Sequence, residues 1–132
     1  MKKIIYSYIS NNETRLIVDN LKKKAEWEPV FFHGNSNIKK WVEKKYPQAV
    51  LADSTKLRQG FFDYSKLGKR RPIDAEIIKN LSIYQQNYMS WLQDTSGWNF
   101  SYFERRRYYY DMLTYWNTVV NNFKPDIFIS YT

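Results

Sequence analysis

Chemistry at neutral pH needs a side chain that titrates there, or a cluster that holds a metal or a phosphate. The sequence offers few such groups. His33 is its one histidine, and it has no cysteine. Thiolate nucleophiles, disulfides, zinc–thiolate sites and iron–sulfur clusters are thereby excluded. His33 is the best candidate for a general base. Asp53 is the second, since a carboxylate at the end of an apolar run can orient a sugar hydroxyl or take a proton. Small polar residues follow the successive apolar runs: Ser10, Asn11 and Asn12, then Asn35, then Ser54 and Thr55, and finally Ser130 and Thr132. These types contact ligands at the carboxyl ends of strands in open α/β sheets, and they also cap helices.

A second constellation is electrostatic. Residues 54–72 carry Lys56, Arg58, Lys66, Lys69, Arg70 and Arg71 against one acid, Asp63. Lys69, Arg70 and Arg71 stand close to Phe61, Phe62 and Tyr64. Cations mixed with aromatics suit phosphate contact with stacking, whether the phosphate belongs to a sugar, a nucleic acid or a lipid headgroup. The same composition also describes a solvated charge run. Arg105, Arg106 and Arg107 are consecutive on a helical pattern, so they point three ways and form no single patch. One of them is expected to hold an anion or a carboxylate.

Absences narrow the chemistry. The segment after the first apolar run is Ser10-Asn11-Asn12-Glu13, with no glycine. Dinucleotide binding needs a glycine-rich turn there, so that backbone can approach a pyrophosphate. No phosphate-binding P-loop, nucleophile elbow or paired-histidine motif occurs. No cofactor is expected.

The elements that position these residues follow from periodicity. Ile4–Ile9 is apolar, β-branched and aromatic, and reads as a buried strand. Ser10 and Glu13 have capping-box spacing, and Thr14, Ile17, Val18, Leu21 and Ala25 recur at helical spacing. Pro29–His33 reads as a second strand, and Ile38 to Tyr46 as a short helix ended by Pro47. Ala49–Asp53 is a third strand. Strand–helix–strand–helix–strand with short connections predicts half of a doubly wound parallel sheet.

Residues 54–72 read as an irregular basic loop, long enough to suggest a function. After Pro72 an apolar stripe runs through Ile73, Ile77, Leu81, Tyr84, Tyr88, Trp91 and Leu92. A second capping box, Ser101 to Glu104, opens another stripe from Tyr109 to Phe123. Residues 73–124 are therefore a helical hairpin, and Asp126–Thr132 is a fourth strand. The fold class is α/β, Rossmann-like and three-layered, with a four-stranded parallel sheet in the order 3-2-1-4. At 132 residues this is one domain, and a crossover ending in a terminal strand reads as the N-terminal part of a longer protein.

Composition agrees. Net charge is +8, aromatics reach 19% and hydrophobic residues 43%, which supports a core and argues against disorder. Tyr108, Tyr109, Tyr110 and Trp116, with Trp98, Phe100, Tyr102 and Phe103 in the turn, suit a core, a sugar-stacking face or an oligomer interface through the hairpin. The opening Lys2-Lys3 and apolar run break at Ser10, too early for a signal peptide. No apolar run approaches the roughly 18 residues of a membrane span. The expectation is a cytoplasmic protein able to lie against the inner membrane face.

The passage Tyr109-Tyr110-Asp111 through Trp116-Asn117, then Phe123-Lys124-Pro125-Asp126-Ile127-Phe128-Ile129-Ser130, resembles the helix-then-K-P-D-strand passage of GT-B-type glycosyltransferase N-terminal domains. Bacterial surface and capsular polysaccharide biosynthesis proteins look similar there. The resemblance implies an acceptor-binding N-terminal part of such a protein. Nucleotide-sugar would bind mainly to another domain, and this chain alone would show little activity. Ser10, Asn11, His33 and Asp53 would line the cleft, with the basic loop meeting a phosphate-bearing acceptor or the membrane. The alternative from another class is a non-enzymatic module that binds a polyanion such as nucleic acid, or that dimerises.

Overall fold

The structure is a computed structural model that describes residues 1–9, 12–81, 85 and 101–130. Its elements are β1 (Lys3–Ile9), α1 (Asn12–Ala25), β2 (Glu28–Gly34), a 3-10 turn (Ser36–Ile38), α2 (Lys39–Lys45), β3 (Val50–Asp53), α3 (Ser54–Arg58), a helical stretch over 75–81, α4 (Tyr102–Phe123) and β4 (Ile127–Ser130). The strands form one four-stranded parallel sheet in the order β3-β2-β1-β4. The expected Rossmann-like α/β order is therefore realised, with the strand order reversing between β1 and β4.

Alternation along the strands fills two cores. On the first face, Ile4, Tyr6, Ile9 and Phe32 pack with Val18 of α1, and with Ile38, Val42 and Tyr46 around α2. On the second face, Ile5, Phe31 and Ala52 pack with Leu57 of α3, with Leu67, and with Tyr115 and Val119 of α4. Strands buried on both faces lack alternation in sequence, which is why Ile4–Ile9 reads as one apolar run. Each large apolar side chain buried here stabilises by about 1.5–3 kcal/mol. Two residues of the expected helical stripes depart from them: Ile17 of α1 and Val120 of α4 are each 45% exposed.

The ends of α4 follow their local chemistry. Ser101 Oγ accepts a hydrogen bond from the Glu104 N–H at 3.3 Å, as the capping box predicts. At the other end Lys124 takes a left-handed conformation with φ 49°, its N–H bonded to the Val120 carbonyl. Pro125 stops the helix. Asp126 then clasps the start of β1: its N–H donates to the Lys3 carbonyl, and its Oδ2 accepts from the Lys3 N–H, both at 2.8 Å.

Residues 54–72 differ from the irregular loop that the sequence suggests. Ser54–Arg58 is a helix, short because Leu57 is its one buried residue. Its N-cap is Asp53, whose Oδ1 accepts from the N–H groups of Thr55 and Lys56. Farther on, the segment is fastened to α4. Asn122 Nδ2 donates to the carbonyls of Leu67 and Lys69, each at 2.7 Å. Asn117 donates to the Arg71 carbonyl, and the Arg71 N–H donates to Thr118 Oγ1. Of the hairpin before α4, Tyr84, Tyr88, Trp91, Leu92, Trp98 and Phe100 lie outside the described residues.

Candidate functional site

The strand ends gather most of the polar residues singled out in the sequence. His33 ends β2 beside Ser7 of β1, and these two residues are register partners. Ser7 Oγ and His33 Nδ1 lie 2.9 Å apart, both buried. Burial first, and Arg58 second, lower the imidazole pKa to about 4, with Asp53 opposing. His33 is therefore neutral at pH 7. Its ring stands edge-on to Tyr8 at 5.0 Å and to Trp116 at 5.3 Å.

Tyr8 is the unusual residue of this corner. Its φ is +60°, a region that bulky residues avoid, at a cost of about 1–3 kcal/mol. The β1–β2 register slips there, from Ser7 opposite His33 to Ile9 opposite Gly34. The extra residue returns Ile9 to the first-face core. Gly34 admits this close approach, since a Cβ on it would collide with the Ile9 carbonyl oxygen and lie 2.8 Å from Ile38 Cδ1.

Asp53 belongs to a second grouping, around the free edge of β3. A cavity of about 490 Å³ opens there on the second face, with an apolar floor of Val50, Ala52 and Tyr115. A second, of about 440 Å³, lies on the first face against Val42 and Tyr46. Leu51, Asp53, Lys56 and Lys66 line both, so the two form a cleft wrapped around the strand edge. Phe61, 66% exposed, stands at the first cavity. Asp63 is there too, its carboxyl held below the usual range by the Ser65 backbone N–H, then by the Ser65 hydroxyl, with Lys56 and Lys66 contributing. Lys39 lies 4.0 Å from Glu43 at the second cavity. The cleft thus mixes ammonium and carboxylate groups over an apolar floor.

The remaining sequence candidates fall elsewhere. Asn12 opens α1, where its Oδ1 meets Arg15 Nη1 at 3.5 Å. Asn35 precedes the 3-10 turn without a side-chain cap bond, and its buried Oδ1 has no hydrogen-bond partner among the described residues. Ser54 and Thr55 open α3, beside the cleft, and Ser130 is exposed at the end of β4. Lys69, Arg70 and Arg71 are exposed: Arg71 Nε bonds Asn122 Oδ1 of α4, and the Arg70 guanidinium stacks 5.2 Å from the Tyr64 ring within the same segment. Among the arginines of α4, Arg107 meets the Asp111 carboxylate at 3.9 Å, and Arg106 stacks on Tyr110. Ser10, Asn11 and Thr132 lie outside the described residues.

Sequence reasoning counted Lys56, Lys66 and Phe61 in the basic loop but placed none of them in the site. The charge of Lys56 and Lys66 is the available signal. Nothing in the sequence marks Ser7 and Tyr8. Among the described residues, no group of His, Asp and Glu could hold a metal, and no helix is long and apolar enough to cross a membrane. Comparison with family models, with curated proteins and with solved structures gives no match.

Proposed function

We propose that this chain is the acceptor-binding α/β part of a glycosyltransferase-like protein of surface-polysaccharide synthesis, and that it holds a phosphate-bearing sugar in the β3 cleft. One observation carries the reading: Lys56 and Lys66 share the cleft with Asp53, above an apolar floor. Two ammonium groups suit a phosphate. A carboxylate fixed by a helix cap suits a sugar hydroxyl, and the floor suits the apolar face of a sugar ring. The K-P-D passage and the 3-2-1-4 strand order support the family reading.

His33 has a supporting role here. A buried imidazole with a pKa near 4 is a poor base at neutral pH, and its geometry braces Ser7 and Tyr8. Asp53 is then the remaining candidate to take a proton in the cleft, and the isolated acceptor-binding part is expected to bind with little turnover. The test is a titration with glucose 1-phosphate followed by backbone amide shifts. Shifts confined to 53–56 and 61–66 support the reading. No saturable shift there removes it.

The second reading, a polyanion-binding module, draws on Lys69 and Arg70, exposed on a segment anchored to α4. That face would take nucleic acid or lipid phosphates, and its binding would weaken steeply with salt. The carboxylates of the β3 cleft favour the sugar ligand over a polyanion, because Asp53 and Asp63 would repel a run of phosphates.

A further inference from the structure

We propose that Tyr8 is a stacking residue for the C–H face of an uncharged pyranose ring at the carboxyl ends of β1 and β2. The inference deepens the proposed function and rests on its sugar-binding reading.

The backbone carries the first part of the argument. Tyr8 holds φ +60° in a bulge whose two neighbours, Ser7 and Ile9, are both buried. Glycine or asparagine would occupy that conformation with less strain. Packing does not call for tyrosine either, since 49% of the residue is exposed. A strained, bulky and half-exposed residue is a functional signal rather than a stabilising one.

Ring geometry carries the second. The Tyr8 ring leans on the His33 imidazole at 71°, and His33 is braced by Ser7 Oγ on one side and by Trp116 at 90° on the other. The exposed ring is thus held before any ligand arrives, which lowers the ordering cost of binding. Trp116 in turn meets Phe128, itself 50% exposed, so aromatic surface continues toward β4. The negative π face attracts the weakly positive C–H groups of a pyranose.

The test is saturation-transfer NMR of the wild type, Tyr8→Phe and Tyr8→Gly with methyl glucoside, galactoside and mannoside, with adenosine as the aromatic control. Thermal unfolding is measured on the same samples. The expected result is pyranoside binding kept in Tyr8→Phe and weakened at least about tenfold in Tyr8→Gly, with Tyr8→Gly melting at the same or a higher temperature. The proposal is overturned if no pyranoside binds, if Tyr8→Gly binds equally well, if adenosine displaces the sugars, or if Tyr8→Gly melts lower. Glucose 1-phosphate is run in parallel. Its binding, if retained and dependent on Lys56 and Lys66, separates failure at Tyr8 from failure of the cleft reading.

Discussion

Asp126 binds Lys3 twice, through its backbone N–H and through its carboxylate, so the last strand is locked to the first before their ladder begins. The clasp sets the register that continues as Ile4 opposite Ile127 and Ser7 opposite Ser130. It gives the Lys124-Pro125-Asp126 passage a structural meaning. Lysine ends the helix in a left-handed turn, proline prevents its continuation, and aspartate docks the strand. Asp126→Ala removes one charge-assisted bond at an exposed site. The expected loss is about 1 kcal/mol, or about 3–5 °C in melting temperature. Calorimetry checks it, and an unchanged melting temperature would show that the strand pairing alone sets the register.

Gly34 leaves no room for a side chain where β2 meets β1. Gly34→Ala forces a methyl group against the Ile9 carbonyl and Ile38, both part of rigid packing. The expected cost is about 2 kcal/mol or more. Urea unfolding measures it, with Gly60→Ala as a comparison, since Gly60 has open space around it but a φ of +87°. Gly60→Ala is expected to lose only about 1 kcal/mol, from backbone strain.

Stability should depend on pH through His33. The unfolded imidazole titrates near 6.5 and the folded one near 4, because burial and then Arg58 disfavour its charge. Between those values the unfolded chain binds a proton that the folded chain does not. Stability is therefore complete above pH 6.5 and falls as pH drops toward 4, by about 3 kcal/mol. Urea unfolding at pH 7, 6, 5 and 4 reads this slope, and His33→Gln should flatten it. The further loss below that window belongs in small part to the exposed Asp63 and chiefly to Asp19. Its burial raises the carboxyl pKa, but hydrogen bonds from Lys45 and Tyr46 outweigh that and lower it.

Asn122 holds the basic segment with three side-chain bonds, to Leu67, Lys69 and Arg71. Asn122→Ala should leave the helical circular dichroism signal unchanged while amide exchange at 67–71 accelerates markedly. Two carbonyl acceptors, one part-buried and one exposed, lose their donor, an expected cost of about 1 kcal/mol. Unaltered exchange would mean that Thr118 and Asn117 suffice to hold the segment.

The sheet was legible because its signals are local. Apolar runs, capping residues and proline stops give the strands and helices in order, and short connections give the 3-2-1-4 arrangement. The helix Ser54–Arg58 was not legible, since a five-residue polar stretch with one buried leucine has no periodicity to read. Asp53 stood out as a carboxylate at a strand end, but its cap bonds appear only once α3 exists. The anchoring of Arg71 by Thr118 and Asn122 joins positions 47 and 51 residues apart, beyond any local pattern. The bulge at Tyr8 was hidden for the opposite reason. It lies within a continuous apolar run, where a change of face leaves no trace in residue type.

The two lysines of the β3 cleft are the groups that a phosphate-bearing sugar would meet there. Glucose 1-phosphate is titrated calorimetrically into the wild type, Lys56→Ala/Lys66→Ala, and Lys69→Ala/Arg70→Ala, at two salt concentrations. The expected result is saturable binding that falls about tenfold or more in the first variant and is unchanged in the second. The salt dependence should match one or two neutralised phosphate charges. Binding that ignores Lys56 and Lys66, yet falls with Lys69 and Arg70 and collapses with salt, would rule out the β3 cleft as the sugar-phosphate site and assign the chain to polyanion binding.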